Sequence, residues 1–183
     1  MLTYTTDEHN EVTKTARSAG AVGFNAVVPR VIKALEFDKT LSYFDYGSGP
    51  QHLHANAMIQ DGFADVTAYD LNIDDSDVGL DGLKIVTSLA GFDKKYDVVY
   101  ASNVLNVQLS KSLLRGTIGE ISSLLESGGT FVGNYPASPR KCDASVQDVD
   151  NMLRIVFREV VRIKKIGDWK QSSPVWVCDG VLT

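Results

Sequence analysis

Phe44-Asp45-Tyr46-Gly47-Ser48-Gly49-Pro50 is the stretch whose reading decides the fold. Ahead of it, Leu41-Ser42-Tyr43-Phe44 is apolar and aromatic enough for a short buried strand. Behind it, Leu53, Ala57, Met58 and Ile59 recur with helical spacing. Strand, glycine turn and helix in that order form the front of a nucleotide-binding α/β unit. Glycine serves there because the turn is tight and the backbone approaches a ligand closely. The unpaired N–H groups of the following helix face that ligand. A glycine pair alone is also a plain strand-to-helix turn, so a second signal matters. Val66-Thr67-Ala68-Tyr69-Asp70 reads as another strand ending in an acid. Asp70 follows Gly49 by about 20 residues, the separation expected of a carboxylate that grips ribose hydroxyls.

The chain has 183 residues, 44% hydrophobic and 22% charged, which suits one soluble domain with a real core. A net charge of −5 gives no general attraction to nucleic acid or anionic membrane. The two cysteines, Cys142 and Cys178, lack metal-ligand spacing and read as reduced thiols of an intracellular, cytoplasmic protein. Residues 1–11 lack the basic and apolar segments of a signal peptide, and no apolar run reaches membrane-span length. No metal site is expected. The acidic stretch with Asp74, Asp75, Asp77 and Asp81 lacks the ligand pattern of a calcium loop and reads as a solvated loop.

Residues 1–12 read as a polar, mobile start. Lys14 and Arg17 then suggest a polar arm or a lid. Val28, Val31, Ile32 and Leu35 mark the buried face of a helix with Pro29 in its first turn. Lys84–Thr87 and Tyr96–Ala101 read as the third and fourth strands, the latter with the unbroken apolar character of a central parallel strand. Ser110 caps a helix carrying Leu114, Ile118, Ile121 and Leu125, and Ser127-Gly128-Gly129 ends it. Thr130–Tyr135 is a fifth strand. Ser145 and Asp148 cap a last helix, and strands around residues 160–163 and 175–178 close the chain. This alternation predicts an α/β fold with a parallel sheet and interleaved helices.

These segments resemble the class I methyltransferases that use S-adenosyl-L-methionine. Asp45-Tyr46-Gly47-Ser48-Gly49 is similar to their first motif and Tyr69-Asp70 to their acidic second motif. Tyr96 to Val107 is similar to their fourth strand and the turn after it, and Leu124 to Thr130 to the turn before their fifth strand. A nearer likeness is to small methyltransferase-like proteins of phages and bacterial modification clusters, carried by Lys14-Thr15-Ala16 and Asn103-Val104-Leu105-Asn106-Val107. The resemblance implies a Rossmann-like, mostly parallel seven-stranded sheet with helices on both faces. It implies an N-terminal arm and helix over residues 1–40 and a methyltransferase domain over residues 41–183, together one compact domain.

The resemblance also implies roles. Asp45 orients the glycine loop or the cofactor's amino group, with Tyr46 and Ser48 in the same loop. Gly47 and Gly49 lie against the methionine part. Asp70 holds the ribose diol, Leu71 lies beside the adenine, and Ser88 and Leu89 flank it. Asn103 lines the floor near the methyl. The acceptor gap lies between the fourth and fifth strands, bordered by Asn103 and Asn106 on one side and Tyr135, Arg140 and Lys141 on the other. His52 and His54 read as capping or surface residues, one of which faces the cofactor in the alternative reading. The chain departs from the family at Gln51, where a third glycine stands, and at Ser88, where an acid is often found. No Asp/Asn-Pro-Pro segment or Pro-Cys pair is present, which disfavours DNA amino and cytosine C5 acceptors. A small molecule, nucleotide or RNA acceptor is expected, with no membrane partner and the oligomeric state open. Two rivals remain. One is a cofactor-binding protein of the same fold that acts as a sensor or partner subunit. The other is a dinucleotide oxidoreductase, whose fingerprint wants a glycine where His52 stands.

Overall fold

Tyr43 and Phe44 are neighbours on the first strand and face opposite cores. Tyr43 belongs to the core that holds Val31, Ile32 and Met58 on one side, and Phe44 to the core that holds Leu114, Ile118 and Leu153 on the other. Both faces of a strand that alternates this way are apolar, so the sheet must be covered on both sides. A computed structural model describes residues 2–16, 23–49, 51–72, 79–137, 141–166 and 169–182. Seven strands form one sheet: β1 (Ser42–Tyr46), β2 (Asp65–Tyr69), β3 (Leu83–Val86), β4 (Tyr96–Ala101), β5 (Leu125–Asn134), β6 (Phe157–Ile166) and β7 (Trp169–Val181). Their order is β3-β2-β1-β4-β5-β7-β6. The first five strands run parallel, while β7 is antiparallel to both β5 and β6, so the sheet is mixed. Helices α2 (Val27–Ala34) and α3 (Leu53–Gln60) cover one face, and α4 (Lys111–Ser123) and α5 (Val146–Val156) cover the other.

Three expectations are corrected. The first is that helices interleave throughout. Among the described residues, the connections from β2 to β3 and from β3 to β4 contain none, and the shorter β3–β4 segment instead sends Phe92 in against Phe44 and Tyr96. Asp74, Asp75 and Asp77 lie outside the described residues. The second is the mobile start. Helix α1 (Thr6–Ala16) begins there, held by a reciprocal cap. The Thr5 N–H donates to Glu8 Oε2 (2.8 Å), and the Glu8 N–H donates to Thr5 Oγ1 (3.2 Å). The third is Leu35, which sits at the C-cap of α2 and is exposed.

The caps read from sequence are formed. Ser110 accepts the Leu113 N–H at the start of α4. Ser145 and Asp148 exchange side-chain and backbone bonds at the start of α5. Ser145→Ala removes one of two reciprocal bonds on an exposed helix end. We expect a loss of about 1 kcal/mol of stability, read as a lower urea denaturation midpoint, with the fold retained.

Candidate functional site

The chain leaves β1 toward β2 and β3 on one side, then returns to place β4 on the other, so the direction of winding reverses between β1 and β4. Open α/β sheets bind ligands at such a point, beyond the strands' C-terminal ends. A cleft of about 250 Å³ lies there. Its walls come from the loop after β1 (Tyr46 to Gly49), the end of β2 (Asp70 to Asn72), the end of β4 (Ser102 to Val104) and helix α1 (Val12, Thr13). The backbone is left-handed at four positions around this cleft, Gly47 (φ 84°), Gly49 (φ 73°), His52 (φ 48°) and Asn103 (φ 63°). For the two non-glycine residues that conformation costs about 1–2 kcal/mol each.

The glycine loop is tied to β2. The N–H groups of Gly47 and Ser48 both donate to the Tyr69 carbonyl, at 2.8 and 2.9 Å. The Gly49 N–H donates to Asp70 Oδ2 at 2.9 Å, while Asp70 Oδ1 accepts the Asn72 N–H at 3.0 Å and its side-chain amide at 3.2 Å. Asp70 is thus fixed in orientation; Oδ2 keeps one acceptor site for a ligand, and a second opens at Oδ1 when a ligand hydroxyl replaces the 3.2 Å amide contact. Ser48 Oγ and His52 Nδ1 are hydrogen-bonded at 3.0 Å. Across the cleft, Asn103 and Asn134 pair reciprocally. The Asn103 N–H donates to Asn134 Oδ1 (2.7 Å), and Asn134 Nδ2 donates to Asn103 Oδ1 (2.8 Å). Asn134 closes β5 and was not singled out in the sequence. Its only signal there is an amide at the C-terminal end of a parallel strand.

Asp45 does not reach the cleft. It is fully buried beneath the loop, facing the Tyr100 hydroxyl and the Ala55 N–H of α3, neither in full hydrogen-bond geometry. Burial therefore dominates and pushes its carboxyl well above the usual range, the charge of Asp70 adding to the shift. A raised folded-state pKa means that this stability contribution is complete below the ordinary carboxylate range, about pH 4, and fades as pH rises through the folded value. Asp45→Asn stays neutral at every pH. Urea midpoints at pH 5 and pH 8 are expected to fall less between those values in the variant than in the wild type, and equal slopes would refute the assignment.

His54 and His52 are both buried rather than on the surface. His54 lines the cleft, and its Nδ1 accepts the Gly23 N–H at 3.0 Å, which places the proton of the neutral ring on Nε2. Burial lowers its pKa to about 4. It is therefore a hydrogen-bond donor at neutral pH, and its basic nitrogen is already engaged.

Ser88 and Leu89 line a second chamber of about 200 Å³ that shares Tyr4, Tyr69 and Leu71 with the cleft. Glu120 of α4 also faces this chamber, accepting the Tyr46 hydroxyl at 2.8 Å and the Leu2 N–H at 2.7 Å. Burial and the charge of Glu120 hold the Tyr46 phenol well above its ordinary pKa. Helix α1 and the residues before it lie over both spaces. Tyr4 Oη donates to Gln108 Oε1 at 2.7 Å, and Thr13 Oγ1 donates to Asn72 Oδ1 at 2.9 Å. His9 Nε2 and the Leu71 carbonyl are 3.3 Å apart. The lid reading of the N-terminal arm therefore rests on Val12 and Thr13. Lys14 points to solvent, and Arg17 lies outside the described residues.

Of the residues read for the acceptor rim, Asn103 lines the cleft, while Tyr135, Asn106 and Lys141 do not. Tyr135 is fully buried, and its hydroxyl donates to the Ala144 carbonyl at 2.9 Å. Asn106 is fully buried away from the cleft wall, its carbonyl accepting the Lys141 N–H. Lys141 Nζ is paired with Glu11 of α1 at 2.9 Å, so it tethers the helix over the cleft. Arg140 lies outside the described residues. Among the described residues, Asp70 is the only charged side chain lining the cleft, no cluster of His, Cys, Asp and Glu could hold a metal ion, and no helix is long and apolar enough to cross a membrane.

No protein-family model and no curated protein matches the chain. Solved structures do. A TehB-like SAM-dependent methyltransferase from Corynebacterium glutamicum is 19% identical, with a TM-score of 0.62 over 82% of this chain and 84% of that one. The glycopeptide N-methyltransferase MtfA, complexed with S-adenosyl-L-homocysteine, is 16% identical, with a TM-score of 0.60 over 84% of this chain and 88% of that one. The fold is that of the class I methyltransferases. SAM-bound CalS10, an amino pentose methyltransferase from Micromonospora echinaspora, is 12% identical, with a TM-score of 0.59 over 94% of this chain and 91% of that one. Within this methyltransferase fold the cleft occupies the winding reversal, with the glycine loop and Asp70 on its walls.

Proposed function

We propose that the chain is an S-adenosyl-L-methionine-dependent methyltransferase acting on a small molecule, nucleotide or RNA. The observation that carries this reading is the charge of the cleft. Its one described charged group is an acid, Asp70, held against the glycine loop. A dinucleotide's pyrophosphate is held by glycine-loop N–H groups, and those of Gly47, Ser48 and Gly49 are already donated to Tyr69 and Asp70, whereas a ligand with a cationic sulfonium meets a negative wall. The residues also fit the group in shape. Gly47 has no Cβ where one would stand 2.4 Å from Val104 Cγ2, and Ser102 Oγ is buried at the wall without a hydrogen-bond partner among the described residues.

When bound, the cofactor supplies an electrophilic methyl group, so the protein's share is positioning more than acid–base chemistry. Asp70 would hold the ribose diol, with Leu71, Ser88 and Leu89 around the base. Gly47 and Gly49 would admit the methionine part, and His54 Nε2–H and Ser102 Oγ would donate to or accept from it. Asn103, clamped by Asn134, would border the acceptor. His54 is not the base for an acceptor proton, because its lone pair is engaged and its basicity is low. The likeness to small phage and modification-cluster proteins belongs to this same reading.

The test is mass spectrometry of ligand that co-purifies with the protein, followed by calorimetry with S-adenosylhomocysteine. Co-purified adenosylmethionine or its demethylated product, with saturable binding, is the expected result. A nicotinamide cofactor, or no binding of either adenosyl ligand, would replace the reading.

A further inference from the structure

The second chamber contains an acid where the sequence offers none. Ser88, which stands where the family resemblance expects a carboxylate, turns its hydroxyl back to accept the Ala90 N–H at 3.1 Å. Glu120 comes instead from the opposite layer, out of helix α4, and is the only acidic side chain among the described residues lining that chamber. Its position is fixed from both sides by the Tyr46 hydroxyl on Oε1 and the Leu2 N–H on Oε2. The second of these contacts shows a nitrogen donor meeting this carboxylate at 2.7 Å inside the chamber. Each oxygen has a further lone pair.

The chamber's place along the sheet says what would enter it. The sugar position is set by Asp70 at the end of β2, and the chamber continues past Leu71 to Ser88 and Leu89 beyond β3, the next strand outward. A base attached to that sugar on the side away from the glycine loop would lie between Leu71 and Leu89. We propose that Glu120 is a specificity-determining residue that reads the exocyclic amine of the cofactor's adenine. This rests on the methyltransferase reading above. A carboxylate accepts from the amine of adenine, and it repels the carbonyl oxygen that hypoxanthine carries at the same place.

The experiment is calorimetry with two probes, S-adenosylhomocysteine and S-inosylhomocysteine, which differ at one edge of the base, where the amine becomes a carbonyl and the neighbouring ring nitrogen gains a hydrogen. The proteins are the wild type, Glu120→Leu and Glu120→Gln, each checked by thermal melting. The wild type is expected to prefer the adenosyl ligand by about tenfold to a hundredfold. Glu120→Leu abolishes the preference, chiefly by weakening the adenosyl ligand. Glu120→Gln, whose amide can present either an oxygen or an N–H, narrows it while keeping an acceptor for Tyr46. Should the leucine variant not fold, the glutamine variant carries the test alone. Equal weakening of both ligands would make Glu120 a structural post for the N-terminal strap and overturn the proposal, as would an undiminished preference in the variants or none in the wild type. If the wild type binds neither probe, the methyltransferase reading itself fails, a pattern distinct from the others.

Discussion

Asp70→Ala is expected to weaken S-adenosylhomocysteine binding by about 2–4 kcal/mol, the worth of two charge-assisted hydrogen bonds to a sugar diol in a largely buried setting. That is roughly a 30- to 1000-fold rise in dissociation constant. The carboxylate does two things in the structure. Its oxygens would face the diol, and they also fix Gly49 and Asn72 through their N–H groups. A ligand lacking the ribose hydroxyls separates these roles. The wild type should bind the dideoxy analogue far more weakly than the parent, while Asp70→Ala should bind the two nearly alike. If the variant still discriminates between them, the sugar lies elsewhere and Asp70 serves the loop alone. Unchanged calorimetric affinity in a folded Asp70→Ala protein would remove the ribose role entirely.

What the sequence disclosed about this site depended on local spacing. The glycine loop and Asp70 are joined by a βαβ unit whose length the fold constrains, so residues some 20 positions apart meet at Gly49 N–H and Asp70 Oδ2. Strand β4 was legible because a strand buried on both faces is apolar throughout. The start of α1 was legible too, had Thr5 and Glu8 been read as a capping box instead of as part of a polar tail. Tyr135 also carried its own signal. Counting by twos from Phe131 along β5 puts it on the face turned toward α4 and α5, where it is buried.

The remaining features arise from packing between distant segments and leave no local trace. Glu120 is the one acid of α4 and reads in sequence as an ordinary surface carboxylate, and only the docking of α4 brings it to Tyr46 and Leu2. The Asn103–Asn134 pair needs β4 and β5 side by side in register. His52 adopts a left-handed backbone that histidine seldom takes, so the turn into α3 is present without the glycine that would announce it. Lys141 reads in sequence as part of the acceptor rim, and its pairing with Glu11 spans most of the chain.

Gly47→Ala is the second large effect, and it falls on stability before binding. At φ 84° an alanine is strained by about 1–2 kcal/mol, and its Cβ would stand 2.4 Å from Val104 Cγ2, an overlap costing about 1–3 kcal/mol more. A total near 3 kcal/mol corresponds to a melting temperature lower by roughly 6–12 °C in a domain of this size. The two causes can be told apart by a double-mutant cycle with Val104→Ala. Removing the valine methyl groups relieves the overlap but not the backbone strain, so the double variant should be about 1–3 kcal/mol more stable than the sum of the single effects predicts. Strict additivity would mean that the loop moves as a whole to avoid Val104. Binding should not recover in step with stability. Gly47 and Ser48 donate to the Tyr69 carbonyl, and Gly49 donates to Asp70 two residues later, so a strained residue at 47 shifts the backbone against which the ligand lies. The double variant is therefore expected to regain much of its melting temperature while its affinity for S-adenosylhomocysteine stays reduced. A double variant with affinity fully restored would show that the Val104 contact, and not the left-handed turn, is what the glycine at 47 protects.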